Sequence, residues 1–589
     1  MTSYAAAIGK IPGLTLRWRG TGGKAVGVTG ALARGLAVFA TAIVALVLGY
    51  LGLHQFVTHQ HPPMFGTSFP DTVYYAAQLF LLGSAPLSGP GPFPATLEVA
   101  RFLAPVTTVL AGVEALRLLL GEQIRRWTAA YAPNHAIVTG DSQMAMELAR
   151  RLRADKFRTV VLVGAKPQTV DQARQLQLLD IAGDPSDLHT LRAAGIARSS
   201  VIYACSDHSA TNAATALCAR AFAKENGRPL LVHALVRDPD ICTALRARRI
   251  GVPSDRRLRL EFFSIEGLAA RALFDRHPYP VGESSRVVIV GFSRLGRAML
   301  HEVALRHAAG NSKMSVTIVG GQDTPADLVS FAEEYPIVSR GCDVTFQPTL
   351  LKTEQGITTM ILVCSPSNDE ALRIGLNALP LLVNASDRTV ICMSELSPFG
   401  RTFSDDLLDD VQRRLSIFDV LEEACMPDQI SNDLTDQLAR SIHLAYLDGC
   451  RQRGETPEQN PSMRPWPELP DVLKDANFAQ AGHIGTKLDA IGCVLIPESS
   501  TIGEFTFEDG EIEHLAKLEH RRWMQDREEH GIGYGRVRDE RHHPDMVDWD
   551  SLSDSAKDKD RDVVKNMPCI LRQAGFQILR FASPALRDS

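Results

Sequence analysis

The sequence predicts an α/β protein with two tandem doubly wound parallel sheets at its centre, an α-helical hairpin before them and an all-α duplicated domain after them. The first observation is an apolar strand from His135, a tight turn at Gly140 and a helix with apolar residues at helical spacing. The second is a repeat of this pattern from Arg286, so that Gly140 and Gly291 lie 151 residues apart. The third is an uncharged N-terminal run long enough to cross a bilayer.

The N-terminal region is predicted to comprise a basic segment, residues 1–34, and a membrane hairpin, residues 35–127. Residues 35–57 contain no charged side chain and exceed the ~20 residues that span a bilayer core. The basic segment has five Lys or Arg residues and no acidic residue. By the positive-inside rule, this distribution predicts a cytoplasmic N-terminus. A secretory signal peptide is disfavoured because its apolar segment would be shorter and nearer the first residue.

A second membrane helix is predicted over residues 99–120, and it contains Arg101, Glu114 and Arg117. Charges inside a span usually face protein or water, so these residues either pack between helices or line a path. Alternatively, the two arginines mark the membrane interfaces by snorkelling. The basic residues that follow return the chain to the cytoplasm. Both termini are therefore predicted to lie on the cytoplasmic side of the cell (inner) membrane.

A short amphipathic stretch, residues 71–83, lies between the two membrane helices and is too short to span the bilayer. Its Asp followed by two Tyr residues resembles the re-entrant pore helix of a two-helix potassium channel, which makes Leu82, Gly83 and Ser84 the candidate pore residues. A potassium filter needs stacked backbone carbonyls, whereas residues 83–94 are rich in proline. The architecture is channel-like, but potassium selectivity is not supported. The alternative is an interfacial helix between two membrane anchors.

Three further strands follow in the first sheet domain, residues 128–280, with helical segments between them: 159–164, 181–184 and 200–207. Strands that alternate with helices favour a parallel, Rossmann-like sheet. The second sheet domain, residues 281–430, begins with Arg286-Val-Val-Ile-Val-Gly291 and continues through residues 361–366. A strand and a helix follow each sheet.

Four runs in the first sheet domain carry a family resemblance: Gly183-Asp184, Leu191-Arg-Ala-Ala-Gly-Ile-Ala, Cys205-Ser-Asp207 and Thr211-Asn212. They resemble motifs of RCK domains, which regulate potassium conductance. The resemblance implies two tandem RCK units with an NAD-binding type of fold. It also implies assembly, because the strand and helix after each RCK sheet are exchanged between subunits.

The first sheet domain has five candidate residues for a nucleotide or dinucleotide: Gly140, Ser142, Asp184, Asp207 and Asn212. The turn of a dinucleotide site needs Gly-x-Gly-x-x-Gly so that the backbone can approach the pyrophosphate, and serine replaces the middle glycine in both copies. Glycine, at 164 and 320, also replaces the acidic residue that would hold a ribose. Neither copy is therefore a convincing NAD site.

Two interpretations remain open for the sheet domains. The first copy binds some ligand, a nucleotide or a cation, through the polar residues that it retains. Alternatively, both copies are degenerate Rossmann folds that serve as assembly surfaces. The second copy is predicted to be structural because Pro366 and Ala371 stand where Asp207 and Asn212 would align.

The C-terminal part contains a second duplication, predicted as one helical repeat over residues 431–505 and another over residues 506–589. The motif Leu438-Ala-x-x-x-His443-x-x-Tyr446 returns as Leu515-Ala-x-x-x-His520-x-x-Trp523. Later residues also match at identical offsets: Trp466 with Trp549, Lys474 with Lys557, and Asn477 with Asp560. The natural interpretation is two helix pairs related by duplication.

The second repeat resembles the ryanodine receptor (RyR) repeat through Trp523, Gly533-Tyr-Gly535, Arg538-Asp539, His543-Pro544 and residues 557–561. Aromatic side chains stack on flat rings and arginines neutralise phosphate, so we predict a nucleotide-type ligand site. Its candidate residues are Trp523, Tyr534, Arg538, Asp539, Trp549 and Arg561. The alternative is that the tryptophans are core residues and the charges form a solvated face.

Composition excludes several functions. A net charge of -6 and a pI near 6.3 argue against a nucleic-acid binder. All ten cysteines follow residue 200 without Cys-x-x-Cys spacing, which favours reduced thiols over disulfides or a zinc site. No catalytic motif is recognisable, and His542 and His543 lack partners at metal-ligand spacing, so neither an enzyme nor a metal site is predicted.

Together these features predict a ligand-regulated, ion-channel-like membrane protein whose cytoplasmic RCK and RyR domains sense a nucleotide-type ligand and gate a two-helix pore. A non-conducting membrane-anchored nucleotide sensor or signalling scaffold is the alternative, and the missing filter favours it. The expected partners are membrane lipid and further copies of the chain, giving a tetramer if the hairpin forms a pore and otherwise a dimer. A nicotinamide-dependent oxidoreductase is disfavoured because the acidic residue that would hold the ribose is missing.

Overall fold

The computed structural model describes most of the chain: residues 26–59, 65–83, 85–88, 92–226, 230–251, 258–278, 285–308, 313–320, 325–393, 414–431, 434–457, 460, 462–537 and 541–581. These residues form two compact units. The first unit comprises the chain up to Ala129 together with the separate segment Val170–Asp180. The second unit comprises Ala130–Thr169 and the chain from Ile181 onwards.

The first unit contains the helices α1 (Val26–Thr58), α2 (Phe69–Gln78) and α3 (Ala95–Tyr131). Two stretches, Ala33–Thr58 and Ala95–Gly121, are long and apolar enough to cross a membrane, judged by length and composition. They include the two spans predicted from the sequence. Many of their apolar side chains point outward, as expected for helices that face lipid.

Close packing joins α1 to the start of α3. A Cβ atom at Gly52 would lie 2.5 Å from the backbone nitrogen of Leu97, so only glycine fits there. The charged side chains predicted inside the second span are paired. Glu114 lies 3.3 Å from Arg34 of α1 and 3.4 Å from Arg117. Arg101 contacts a glutamate on its own helix at 3.0 Å.

The short helix α2 begins at Ser68, whose side chain caps its N-terminus, and leads into a 3₁₀ turn over Leu79–Leu81. The turn ends at Leu82, which has a φ of 66° and is 84% exposed. Gly83 is also exposed. The third candidate pore residue, Ser84, lies outside the described residues.

The first sheet contains six strands: β1 (His135–Thr139), β2 (Val160–Gly164), β3 (Leu179–Ala182), β4 (Ser199–Ala204), β5 (Leu230–Leu235) and β6 (Leu258–Phe263). Its order is β3-β2-β1-β4-β5-β6. The intervening helices are α4 (Gln143–Asp155), α5 (Pro167–Gln175), α6 (Leu188–Ala193), α7 (Ser209–Asn226) and α8 (Pro239–Ile250), and α9 (Ile265–Arg276) follows. The apolar runs of β1 and β2 are fully buried, as in parallel sheets covered on both faces.

The second sheet has the same topology. Its strands are β7 (Ser285–Val290), β8 (Met314–Val319), β9 (Cys342–Gln347), β10 (Thr358–Val363), β11 (Arg388–Met393) and β12 (Leu415–Asp419). The order β9-β8-β7-β10-β11-β12 repeats that of the first sheet. Its helices are α10 (Arg294–His307), α11 (Pro325–Glu334), α12 (Pro336–Gly341), α13 (Asn368–Ala378), α14 (Val420–Ala424) and α15 (Pro427–Ser431). The predicted pair of doubly wound sheets is confirmed.

The two sheet domains exchange their last helices within one chain. Helix α9, which follows the first sheet, packs on α10, and α14, which follows the second sheet, packs back on α9. Arg151 of α4 completes this contact because it pairs with Glu147 at 2.9 Å and with Glu422 of α14 at 2.7 Å. The exchange implied between subunits is therefore found between the two halves of this chain.

The C-terminal part is mostly helical. Its elements are α16 (Leu434–Gln452), α17 (Asp471–Gly482), α18 (Ile484–Ala490), β13 (Cys493–Pro497), α19 (Glu511–Glu529), β14 (Gly533–Tyr534), β15 (His542–His543), α20 (Asp554–Gln573) and β16 (Phe576–Arg580). Strands β13 and β16 pair antiparallel. Both repeats contribute to one hydrophobic core, which also contains Ala247 and Ile250 of α8.

Candidate functional site

The two repeats of the C-terminal part have matching histidine environments. His443 Nε2 lies 2.7 Å from the carbonyl oxygen of Arg464, and His520 Nε2 lies 2.8 Å from that of Val547. The next turn of each helix places an aromatic ring on the histidine. The ring centroids of His443 and Tyr446 are 6.1 Å apart, and those of the equivalent pair in the second repeat are 5.8 Å apart. Each histidine thus anchors the start of the following segment to its helix.

The repeats differ at the second nitrogen of the histidine. His520 Nδ1 lies 3.1 Å from a carboxylate oxygen of Asp560. The equivalent residue of the first repeat is Asn477, whose amide donates to the carbonyl of Leu473 at 2.7 Å. Burial lowers the pKa of His520, but the bonds to Asp560 and to the Val547 carbonyl outweigh it, so the pKa is raised overall. The protonated form of His520 is therefore favoured.

A cleft of about 540 Å³ lies between the two repeats. Helices α16 and α17 form one wall, and helices α19 and α20 with the loop after α19 form the other. The volume is in the range of small-molecule sites, which is roughly 300–1,000 Å³. Aromatic rings from both repeats, Tyr446 and Trp523, line this cleft together with cationic side chains from both repeats, among them Arg453 and Lys559.

A buried ion cluster supports the wall formed by α19. Lys487 Nζ lies 2.7 Å from one carboxylate oxygen of Glu519, and Arg522 Nη2 lies 2.7 Å from the other. Their side chains are 2%, 3% and 9% exposed in the order Lys487, Glu519, Arg522. Burial raises the pKa of Glu519, but the two cations more than offset it and bring the pKa to about 2. Glu519 is therefore ionised, and its charge is matched from both sides.

Arg522, which lines the cleft, has one buried donor without a described partner. Its Nε and Nη2 atoms bind Glu519, whereas its buried Nη1 atom has no hydrogen-bond partner within the described part of the chain. Lys559 is exposed on α20 and makes no ion pair with any described residue. Lys559 thus offers the cleft a positive group that no described carboxylate neutralises.

The residues predicted for the RyR-like site occupy different places. Trp523 lines the cleft, with Arg527 over its ring at 5.8 Å. Trp549 and Arg561 instead bind Glu513, at 3.1 Å and 2.8 Å, away from the cleft lining. Tyr534 is 57% exposed and also lies away from it. Arg538 and Asp539 lie outside the described residues.

Several cleft residues were not singled out as ligand contacts from the sequence: Tyr446, Arg453, Arg522, Lys559 and Asp560. The duplication itself held the signal for Tyr446, because that residue is the counterpart of Trp523. No local pattern marks the arginines and the lysine, since charged residues on a helix are usually solvated.

The predicted residues of the first sheet meet at the carboxyl ends of its strands, where ligands of doubly wound sheets bind. Gly140 has a φ of 123°, and a Cβ atom there would lie 2.6 Å from the backbone nitrogen of Ser206. Ser142 caps α4 by accepting from the Ala145 N–H at 3.0 Å, and its hydroxyl donates to the Cys205 carbonyl. Both residues therefore have local structural roles.

The polar residues after β3 and β4 are bound to neighbouring groups. Asp184 accepts from the backbone and hydroxyl of Ser186 at 2.8 Å and 2.7 Å. Asp207 pairs with Arg237 at 2.8 Å. Asn212 is 1% exposed, and its amide group bonds to the backbone of Ser206 and Leu235. These contacts satisfy the side chains without a ligand, so the C-terminal cleft is the stronger candidate site.

Two families match the chain. Residues 136–254 match the TrkA-N domain, and residues 509–580 match the RyR domain. The chain thus carries a TrkA-N (RCK) domain in its first sheet and a RyR domain in its second C-terminal repeat. Both resemblances read from the sequence are confirmed. No curated protein matches the chain.

Solved structures of the GsuK channel are similar in fold. One is 14% identical, with 69% of this chain and 98% of that chain covered and a TM-score of 0.36. The ADP-bound form is 14% identical, with 69% and 98% covered and a TM-score of 0.34. The NAD-bound form is 11% identical, with 83% and 91% covered and a TM-score of 0.30. A likeness at this level says nothing about what this chain binds.

Proposed function

We propose that this protein is a ligand-regulated, ion-channel-like membrane protein whose C-terminal cleft binds a nucleotide-type ligand. The observation that carries the proposal is the cleft between the two repeats, which combines aromatic rings with an exposed lysine that no described carboxylate neutralises. A base stacks on aromatic rings, and phosphate oxygens accept charge-assisted hydrogen bonds. Tyr446 and Trp523 supply the rings from opposite walls, and Lys559 supplies a cationic group from the second repeat.

The way the repeats are attached supports a sensing role. The first repeat is tied to the first sheet domain, because Thr435 of α16 donates to Glu261 of β6 at 2.9 Å. The second sheet domain is tied to both repeats, because Arg340 of α12 binds the carboxylate of Glu498 and donates to the carbonyl of Arg572 at 3.2 Å. A ligand bound in the cleft therefore acts on a tail that is attached to both sheet domains.

The covalent path from the sheets to the hairpin is short. Helix α3 ends at Tyr131, and β1 begins at His135. A change in the first sheet domain therefore acts on α3 through only a few residues. The ligand shifts the equilibrium only if it binds one arrangement of the sheets more tightly than the other.

A second candidate function is a non-conducting membrane-anchored nucleotide sensor or signalling scaffold. The proline-rich sequence after Gly83 favours it, because prolines do not fit a filter of stacked carbonyls. In this case the cleft and the coupled sheets keep their roles, and the hairpin acts only as an anchor.

Ion flux through liposomes that contain the full-length chain separates the two functions. We expect a nucleotide to change the flux in the natural protein and in Tyr534→Ala, whose side chain lies outside the cleft. Trp523→Ala should abolish the response, and Leu82→Arg should abolish the flux. Nucleotide binding without flux under any condition would favour the anchored sensor, and the absence of both would contradict the two functions together.

A further inference from the structure

The two walls of the C-terminal cleft are equivalent by duplication but opposite in chemical character. Three charged positions of the second repeat have uncharged counterparts in the first: Arg522 matches Ala445, Lys559 matches Ala476, and Asp560 matches Asn477. The helix positions and the paired histidines are retained, so the difference lies in the side chains alone. One half of the cleft is therefore ionic and the other is largely neutral.

Two of the four carboxylates that line the ionic half are held by cationic or histidine side chains. Glu519 lies between Lys487 and Arg522, and Asp560 pairs with His520. Lys559 has no ion pair among the described residues, and Nη1 of Arg522 has no partner there. Lys559 is therefore the group through which this half can bind an anion.

The neutral half offers a ring and amides. Tyr446 is 39% exposed, and its hydroxyl is fixed by Asn460 at 2.8 Å, so the ring is held in place. Asn477 and Gln480 of α17 line the same wall. Amide side chains and a ring face suit an uncharged heteroaromatic base. Arg453 is the cation on this side, and Glu455 at 2.9 Å and Asp562 at 3.7 Å neutralise it.

We propose that the cleft binds a nucleoside phosphate in one orientation, with the base on the first repeat and the phosphate on the second, and that it discriminates against two-fold symmetric dinucleotides. A symmetric ligand presents two identical halves, and the unequal walls can satisfy only one of them. The inference rests on the proposed function, since it assigns the ligand class and orientation at the same cleft.

Calorimetric titration of the full-length chain in lipid nanodiscs with adenosine, ADP and cyclic di-AMP tests the orientation. Lys559→Ala should lower the affinity for ADP about tenfold, as expected for loss of a charge-assisted hydrogen bond, and leave the affinity for adenosine unchanged. Tyr446→Ala should weaken both by a similar factor. Lys565→Ala removes an exposed lysine of the same helix outside the cleft and should change neither. Cyclic di-AMP should bind more weakly than ADP.

The outcomes separate the inference from the proposed function. Suppose a nucleotide binds and Trp523→Ala removes the binding, but Lys559→Ala weakens adenosine as much as ADP, or cyclic di-AMP binds most tightly. The orientation is then wrong, while the sensing role stands. If adenosine, ADP and cyclic di-AMP all fail to bind the natural protein, both the orientation and the proposed nucleotide-sensing function are wrong.

Discussion

His520 Nδ1 lies 3.1 Å from the carboxylate of Asp560, and this pair distinguishes the second C-terminal repeat from the first. The pKa of His520 is raised although burial lowers it, because the bonds to Asp560 and the Val547 carbonyl outweigh desolvation. The pKa of Asp560 is also raised, because desolvation of its carboxylate outweighs the hydrogen bond to His520, which lowers that pKa.

This pair predicts a pH dependence of stability. A histidine whose folded pKa exceeds its unfolded value of ~6.5 stabilises the fold fully below that value and loses its contribution as pH rises through the folded pKa. Asp560→Asn should lower the pKa of His520 and remove that dependence. Melting temperatures of the two proteins between pH 6 and 8 measure it. Asp558→Asn, a nearby exposed carboxylate, should retain the natural profile, and an unchanged profile in Asp560→Asn would refute the role of the pair.

The buried Lys487 should contribute far more to stability than a partly exposed lysine of the same repeat. Removing one member of a buried ion pair typically costs ~3–5 kcal/mol, because the remaining charge is left without its partner. The loss of stability in Lys487→Met should lie near the lower end of this range, since Arg522 still binds Glu519. Lys474→Met removes a pair between a partly exposed lysine and Asp471, whose side chain is 96% exposed, and should cost no more than ~1 kcal/mol. Denaturant unfolding followed by tryptophan fluorescence makes the comparison, and equal losses would contradict it.

Gly140 is predicted to tolerate no side chain. Gly140→Ala forces a φ of 123° on an L-residue and also drives its Cβ into the backbone of the next strand end. Gly356 has a φ of 84° but open space around it, so Gly356→Ala carries only the backbone cost of ~1–2 kcal/mol. Thermal unfolding should show a clearly larger loss for the first variant. Similar losses would mean that the approach of the two strand ends is unimportant.

Arg340 is predicted to couple the second sheet domain to the tail. Its guanidinium binds the carboxylate of Glu498, which is 9% exposed, and the carbonyl of Arg572. A double-mutant cycle with Arg340→Met and Glu498→Gln should give a coupling energy of about 1–3 kcal/mol. The exposed pair of Lys313 and Asp343, 3.7 Å apart, should give less than ~1 kcal/mol in the same cycle. A coupling energy no larger than that of this control pair would contradict the proposed link between the second sheet domain and the tail.

If this link transmits the signal, Arg340→Met should also uncouple sensing from the membrane. Ligand should still bind the cleft, because Arg340 does not line it. The response of the hairpin to ligand should shrink, and ion flux with and without nucleotide reports it. Loss of binding together with the response would instead indicate damage to the cleft.

The sheets and the duplication could be predicted because their signals are local. Buried strands such as β1 and the turn at Gly140 are readable from a few neighbouring residues. The cleft could not be predicted, because it depends on how four helices face one another. Arg521 and Arg522 are adjacent in sequence, yet the first is exposed and the second is buried beside Glu519. The rotation of α19 about its own axis decides which of the two side chains faces the neighbouring helices.

Ligand-induced thermal stabilisation of the full-length chain in nanodiscs tests the central claim most directly. A ligand at 100 times its dissociation constant should stabilise the protein by ~2.7 kcal/mol. We predict that a mono- or dinucleotide raises the melting temperature of the natural protein and of Tyr534→Ala, and that Trp523→Ala abolishes the shift. A panel of nucleotides that leaves the natural protein unshifted, or shifts Trp523→Ala equally, would contradict a nucleotide site in the C-terminal cleft.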